Sequence, residues 1–201
     1  MLRTLVKISN VTNLSDARYC AGMGVEWLGF SMDEVPFEKY QEIRGWVSGV
    51  QIVGETELDD VAEITALSQR FLPDYLQVTV PELLPSLSLL GLPLILLIDV
   101  AGQSPEAVAA TLVNHEASVA YFLLESSDDF AHLDDAALAW LDKLAFRYPI
   151  LLGFGLREIT VAEVLDQIPV QGIALSGGDE LRPGYKDFGE MMDLLEAIET
   201  D

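Results

Sequence analysis

Eight short apolar runs recur along this chain at near-even intervals, each followed by a segment of helical period, and that alternation restricts its fold more than any other feature. The runs cover residues 4–9, 27–31, 50–54, 75–79, 94–99, 119–125, 149–153 and 172–176. Their starts lie about 19 to 30 residues apart, the length of one strand-helix unit with short loops. The run Leu94-Ile95-Leu96-Leu97-Ile98 has no polar alternation, as expected of a parallel strand covered on both faces. Start signals for the intervening helices stand at Ser15-Asp16 (first), Thr56-Glu57 (third), Ser104-Pro105-Glu106 (fifth), Asp134-Asp135 (sixth) and Thr160 (seventh). A last helix over 187–198 sets Phe188, Met191, Met192, Leu194, Leu195 and Ile198 largely on one face. Eight equal steps in one domain-sized chain predict a closed α/β architecture, a (β/α)8 TIM barrel with a parallel eight-stranded sheet, occupying residues 1–201 as a single domain. The first strand-helix turn lacks a G-x-G-x-x-G pattern, which argues against a dinucleotide fold.

Charge narrows the partners. Thirty-three acidic against eleven basic residues give a net charge of −22, which would repel nucleic acid and anionic membrane surfaces. The most apolar stretch, 83–100, is interrupted by Pro85, Gly91, Pro93 and Asp99, so it reads as helix, turn and buried strand, not a membrane span. Cys20 is the one cysteine, which excludes an internal disulfide and points to a reducing compartment. Met1 leads within a few residues into a strand, without the flanks of a secretory signal, so the cytoplasm is the expected location. No sequence signal sets an oligomeric state.

Barrels of this kind do their chemistry at the strand C-termini and the loops that follow. The residues ending strands here include Lys7, Ser9, Ser31, Glu55, Thr79, Asp99, Glu125, Gly155 and Ser176. Two glycine loops stand out: Gly153-Phe154-Gly155-Leu156 after the seventh strand and Ser176-Gly177-Gly178 after the eighth. Glycine lets backbone N–H groups approach and converge on phosphate oxygens, and the next short helical turn would add its positive dipole end. Gly155, Ser176, Gly177 and Gly178 are therefore candidate phosphate ligands. His115 and His132 are separated and offer no metal set, and no cofactor motif is present.

Both ends of the chain resemble the phosphoribosylanthranilate isomerase family. Val6-Lys7-Ile8-Ser9-Asn10 is similar to that family's opening Val-Lys-Ile-Cys-Gly, and Asp16-Ala17 to the start of its first helix. Gly153-Phe154-Gly155-Leu156 is similar to Ala-Gly-Gly-Leu, Ser176-Gly177-Gly178-Asp179-Glu180 to Ser-Ser-Gly-Val-Glu, and Pro183-Gly184-Tyr185-Lys186-Asp187 to Pro-Gly-x-Lys-Asp. Gln77 and Glu82 fit the Gln-Leu-His-Gly-Asp-Glu segment, with Thr79 at the histidine position. The resemblance implies a barrel performing an Amadori rearrangement of a phosphoribosylamine in tryptophan biosynthesis, with a phosphosugar ligand, Lys7 among its binding residues and no cofactor.

It also implies where this chain departs. Ser9 stands where the family has its cysteine base, and Glu125 where it has its aspartate acid. A serine hydroxyl is far less acidic than a thiol and needs a neighbouring base. Ser31-Met32-Asp33-Glu34-Val35-Pro36 replaces a Ser-x-Arg-x-Val element, and the glycine-rich turn expected after the sixth strand is absent from Ser126-Ser127-Asp128-Asp129. Two readings stay open. One is an isomerase using Glu125 as acid and a substitute base such as Glu55 or Asp99. The other is a regulatory phosphosugar-binding barrel that has lost turnover.

Overall fold

Eight parallel strands close on themselves in a computed structural model that describes residues 1–128, 131–176, 180–182, 185–186 and 189–200. They are β1 (Leu5–Ser9), β2 (Trp27–Ser31), β3 (Gln51–Glu55), β4 (Tyr75–Val78), β5 (Leu94–Asp99), β6 (Tyr121–Glu125), β7 (Ile150–Leu152) and β8 (Gly172–Ser176). Each pairs in parallel with its sequence neighbour, and β1 pairs with β8 to complete the ring. Between them run α1 (Leu14–Gly22), α2 (Phe37–Trp46), α3 (Val61–Phe71), α4 (Leu84–Leu87), α5 (Pro105–His115), α6 (Asp135–Ala145) and α7 (Glu158–Gln167), with α8 (Gly189–Ala197) last. The fold is a (β/α)8 TIM barrel. Short 3-10 turns at Pro81–Leu83 and Ser88–Leu90 flank α4. The broken apolar stretch is thus turn, helix and strand; among the described residues no helix is long and apolar enough to cross a membrane.

Strand ends agree with the apolar runs to within two residues because burial on both faces leaves a direct imprint on composition. Helix starts agree where the capping side chain is the nearest polar residue. Ser104 accepts from Ala107 N at 3.2 Å and Asp134 from Ala137 N at 2.8 Å. Three starts lie elsewhere. Asn13, not Ser15, caps α1 by accepting from Asp16 N at 3.0 Å. Asp60 caps α3 through Ala62 N and Glu63 N at 2.8 and 2.9 Å, and α7 opens at Glu158, before Thr160. In α8 the buried face is Met191, Leu194 and Leu195, continued by Ile198 beyond its end, while Met192 turns outward at 36% exposure. Phe188 lies outside the described residues.

Alternation along the strands sorts side chains into two cores. Val6 and Ile8 of β1 face the helices, in the large outer core. The inner core stacks Trp27, Val53, Ile95, Leu123, Leu151 and Ala174 inside the ring. Below it, Trp27 meets Tyr75 and Tyr121 with ring centroids 4.3 and 5.0 Å apart, which plugs the end opposite the strand C-termini. Above it the same alternation continues upward into Lys7, Ser9, Glu55, Gln77 and Glu125. On β1, β3 and β6 the inner wall turns ionisable there, through Lys7, Glu55 and Glu125.

Candidate active site

The C-terminal mouth holds a cleft of about 560 Å³ whose described lining includes Ser9, Asn10, Glu55, Gln77, Thr79 and Glu125. Its floor is organised by Lys7. This side chain is fully buried, and its ammonium donates to Ser9 Oγ at 2.6 Å and to Glu55 Oε1. Glu55 is itself buried, and its other oxygen accepts from the Asn10 amide at 3.0 Å. Asn10 reaches it from a left-handed conformation, φ 54°, which asparagine tolerates better than most residues.

Two glycines make room for the carboxylates. A Cβ on Gly29, in β2, would collide with the Glu55 carboxylate, and one on Gly153, just past β7, would stand 2.7 Å from Glu125 Cγ. Both positions face inward in register with their neighbours: Gly29 pairs with Val53, and Gly153 N donates to Leu124 O at 2.8 Å. Small residues at these two places let charged groups occupy the interior of a close-packed ring.

Glu125 is half-buried. Burial pushes its carboxyl above the ordinary range, Lys7 pulls it back down, and Glu55 and Asp99 add to the rise. The ammonium, paired with Glu55, is the chief influence opposing that rise, and burial outweighs it. One carboxylate in an ion pair and one carboxyl biased toward its neutral form is the arrangement from which a base and an acid are made.

Ser9 sits in this network as an acceptor. An ammonium has no lone pair with which to take the serine proton, so Lys7 orients Ser9 without activating it. No histidine compensates. His132 is exposed in the segment before α6, His115 lies in the last turn of α5, and neither is among the described residues lining the cleft. Cys20 is buried in α1 with its thiol pushed up to about 12 by desolvation and then by Asp16. Asp99 ends β5 at the exposed rim, where it accepts from Ala101 N and Ser127 N at 2.9 Å each. The Ser127 hydroxyl and amide hold its carboxyl below the usual range. It braces two loops and is not among the described lining of the cleft.

The glycine loops are only partly described. Gly177 and Gly178 lie outside the described residues. Gly155 has φ +67°, and a Cβ there would stand 2.9 Å from Leu133 Cγ, so this turn packs against the segment preceding α6. Ser176 is exposed and pairs in register with Ser9 across β8 and β1. Between Ser176 and α8 the described residues form two short antiparallel strands, β9 (Glu180–Arg182) and β10 (Tyr185–Lys186). Among the described residues no group of His, Cys, Asp and Glu is placed to hold a metal ion.

Lys7, Ser9, Glu55 and Glu125 converge, as their strand-end positions suggested. Gly29, Asn10 and the orientation of Gln77 were not singled out in the sequence, and Gly153 was read there only as part of a glycine loop, not as the residue that makes room for Glu125. The available signal was phase: each stands two residues from another inward position, or at the hinge just past one.

No family model matches the chain, and no curated protein matches it in sequence. Solved structures do match its fold. Phosphoribosylanthranilate isomerase from Thermotoga maritima superposes with TM-score 0.79 at 19% identity, covering 97% of this chain and 98% of that one. The Thermus thermophilus enzyme gives 0.75 at 22%, covering 96% and 97%. A phosphoribosylanthranilate isomerase in complex with reduced 1-(o-carboxyphenylamino)-1-deoxyribulose 5-phosphate gives 0.74 at 22%, covering 97% and 98%. The chain therefore shares the barrel fold of these isomerases along nearly its whole length.

Proposed function

We propose that this barrel binds a phosphorylated sugar amine at its C-terminal mouth and catalyses an Amadori-type isomerisation of it, as phosphoribosylanthranilate isomerase does. The observation that carries this reading is the contrast between Glu55, ion-paired to Lys7, and Glu125, whose carboxyl burial biases toward the protonated form. Glu125 donates a proton to the furanose ring oxygen as the C1–O bond breaks and the nitrogen lone pair forms a C1–N double bond, leaving a protonated imine. Glu55 accepts the proton from C2, the C2–H pair forms the C1–C2 double bond, and the C1–N π pair returns to nitrogen, giving a neutral enolamine. Tautomerisation then yields the 1-amino-1-deoxyketose. Lys7 is a positioning residue that orients Glu55 and Ser9. Ser9, with Ser176 beside it, offers hydroxyls to the sugar. Gly155, Ser176, Gly177 and Gly178 supply the phosphate end. Support for a phosphosugar comes from the fold neighbour complexed with a deoxyribulose 5-phosphate analogue.

A second reading has its own observation. Each oxygen of Glu55 already accepts a hydrogen bond, and Ser9 Oγ accepts from Lys7. A base so occupied is weakened, and the same cleft would then bind its ligand without turnover. Complementation separates the two. Growth of a tryptophan auxotroph lacking the isomerase, rescued by this chain and lost with Glu125→Gln, supports the enzyme. A folded protein that binds the reduced product analogue but gives no rescue supports the binding barrel.

A further inference from the structure

Above β2 and β3 the cleft wall is built from carboxylates. Asp33, Glu34 and Glu57 line it, and Lys39 is the one basic side chain among the described lining residues. Lys7 does not offset them, because its ammonium is buried in contact with Glu55 and Ser9. The wall is anchored: Asp33 accepts from Thr56 Oγ1 at 2.8 Å and from Glu57 N at 3.0 Å, tying the loop after β2 to the loop after β3. Beneath it lies an independent sign of a missing ligand. Gln77 faces inward on β4 between Glu55 and Ile95, is 6% exposed, lines the cleft, and its Oε1 has no hydrogen-bond partner. A buried acceptor without a donor is costly. It calls for an N–H or O–H from whatever fills the cleft.

We propose that this half of the cleft selects a ligand bearing an amine or other cationic, donor-rich group where an anthranilate would carry its carboxylate. The inference rests on the phosphorylated sugar amine reading above and specifies the substituent on its nitrogen. A carboxylate placed against Asp33, Glu34 and Glu57 meets like charge and gives Gln77 no donor. An ammonium meets opposite charge and can supply one.

Three probes test it by titration calorimetry: 1-(phenylamino)-1-deoxyribitol 5-phosphate and its ortho-carboxy and ortho-aminomethyl derivatives. The aminomethyl probe should bind about tenfold more tightly than the phenyl probe at low salt, and the carboxy probe about tenfold more weakly. The spread should narrow at high salt, as screening shortens the reach of the rim charges. Glu34→Gln combined with Glu57→Gln should abolish the preference, bringing the aminomethyl and carboxy probes to within about twofold of each other. Asp33 is kept because it holds the two loops together. If all three bind and the carboxy probe is equal or tighter, the inference is overturned and the phosphosugar reading stands. If the double variant keeps the full preference, the inference is likewise overturned. If none binds, both fall.

Discussion

Gly29 lies against the Glu55 carboxylate so closely that any side chain at that position would collide with it. The glycine on β2 thereby permits the ion pair between β1 and β3, because Lys7 can bury its ammonium only if Glu55 reaches across the space Gly29 leaves open. Gly29→Ala must push the carboxylate aside. It should cost about 1–3 kcal/mol from overpacking, read as a lowered denaturant midpoint, and should reduce ligand affinity together with stability.

The pair itself is testable by a double-mutant cycle. Lys7→Met leaves Glu55 buried without its cation and removes the charge that lowers Glu125. A loss of about 3–5 kcal/mol is expected. Adding Glu55→Gln removes the uncompensated charge and should recover most of that loss, giving a large coupling energy. Additive losses would mean that the two groups do not depend on each other.

Glu125 makes stability depend on pH in a definite sense. Its folded-state carboxyl is raised, chiefly by burial, so the folded protein keeps a proton that the unfolded chain releases. The stabilisation is complete below the ordinary glutamate value of about 4.3 and is lost as pH rises through the higher folded-state value. Glu125→Gln should flatten that decline, seen in urea midpoints between about pH 4 and 8. As the proton donor, Glu125 should also impose a fall in kcat/KM over the same rise.

Ser9→Cys places a thiol beside the Lys7 ammonium, which now donates to the Ser9 hydroxyl at 2.6 Å. A neighbouring ammonium favours thiolate. Isomerase turnover should rise by about 10²-fold or more, followed by the fluorescence of the anthranilate product. Glu55→Gln should abolish turnover in the parent chain and spare part of it in Ser9→Cys, because the thiolate then takes the C2 proton.

Cys20 gives a simple check on the outer core. It is fully buried with its thiol pushed up to about 12. It should react with a disulfide reagent at neutral pH only as fast as the protein opens, and stoichiometrically in denaturant.

How far the residues foretold this arrangement varies with range. The eight strands were legible because each is buried on two faces, so its local composition carries the signal. Caps were legible at Ser104 and Asp134, where one side chain reaches its own helix. They were misread at Thr56, whose hydroxyl is bound to Asp33, twenty-three residues away in sequence. Asp60 caps α3 instead. The site followed the same division. Lys7, Glu55 and Glu125 could be assigned to one rim from strand phase alone. That Lys7 serves Glu55 and Ser9 could not, since those partners lie 48 and 2 residues away and equal candidates existed at Asp99 and Glu125.

From its residues alone the chain was bound to form eight buried parallel strands with an acidic exterior and ionisable groups at one rim, because period and burial are written locally. Only closure of the ring decided which charges meet. It buried the Lys7 ammonium between Ser9 and Glu55, raised the Glu125 carboxyl above its ordinary range by desolvation, and turned Asp99 out to brace loops. Pairing of buried charges depends on which strands become neighbours and on what space their glycines leave, and no stretch of sequence contains that information by itself.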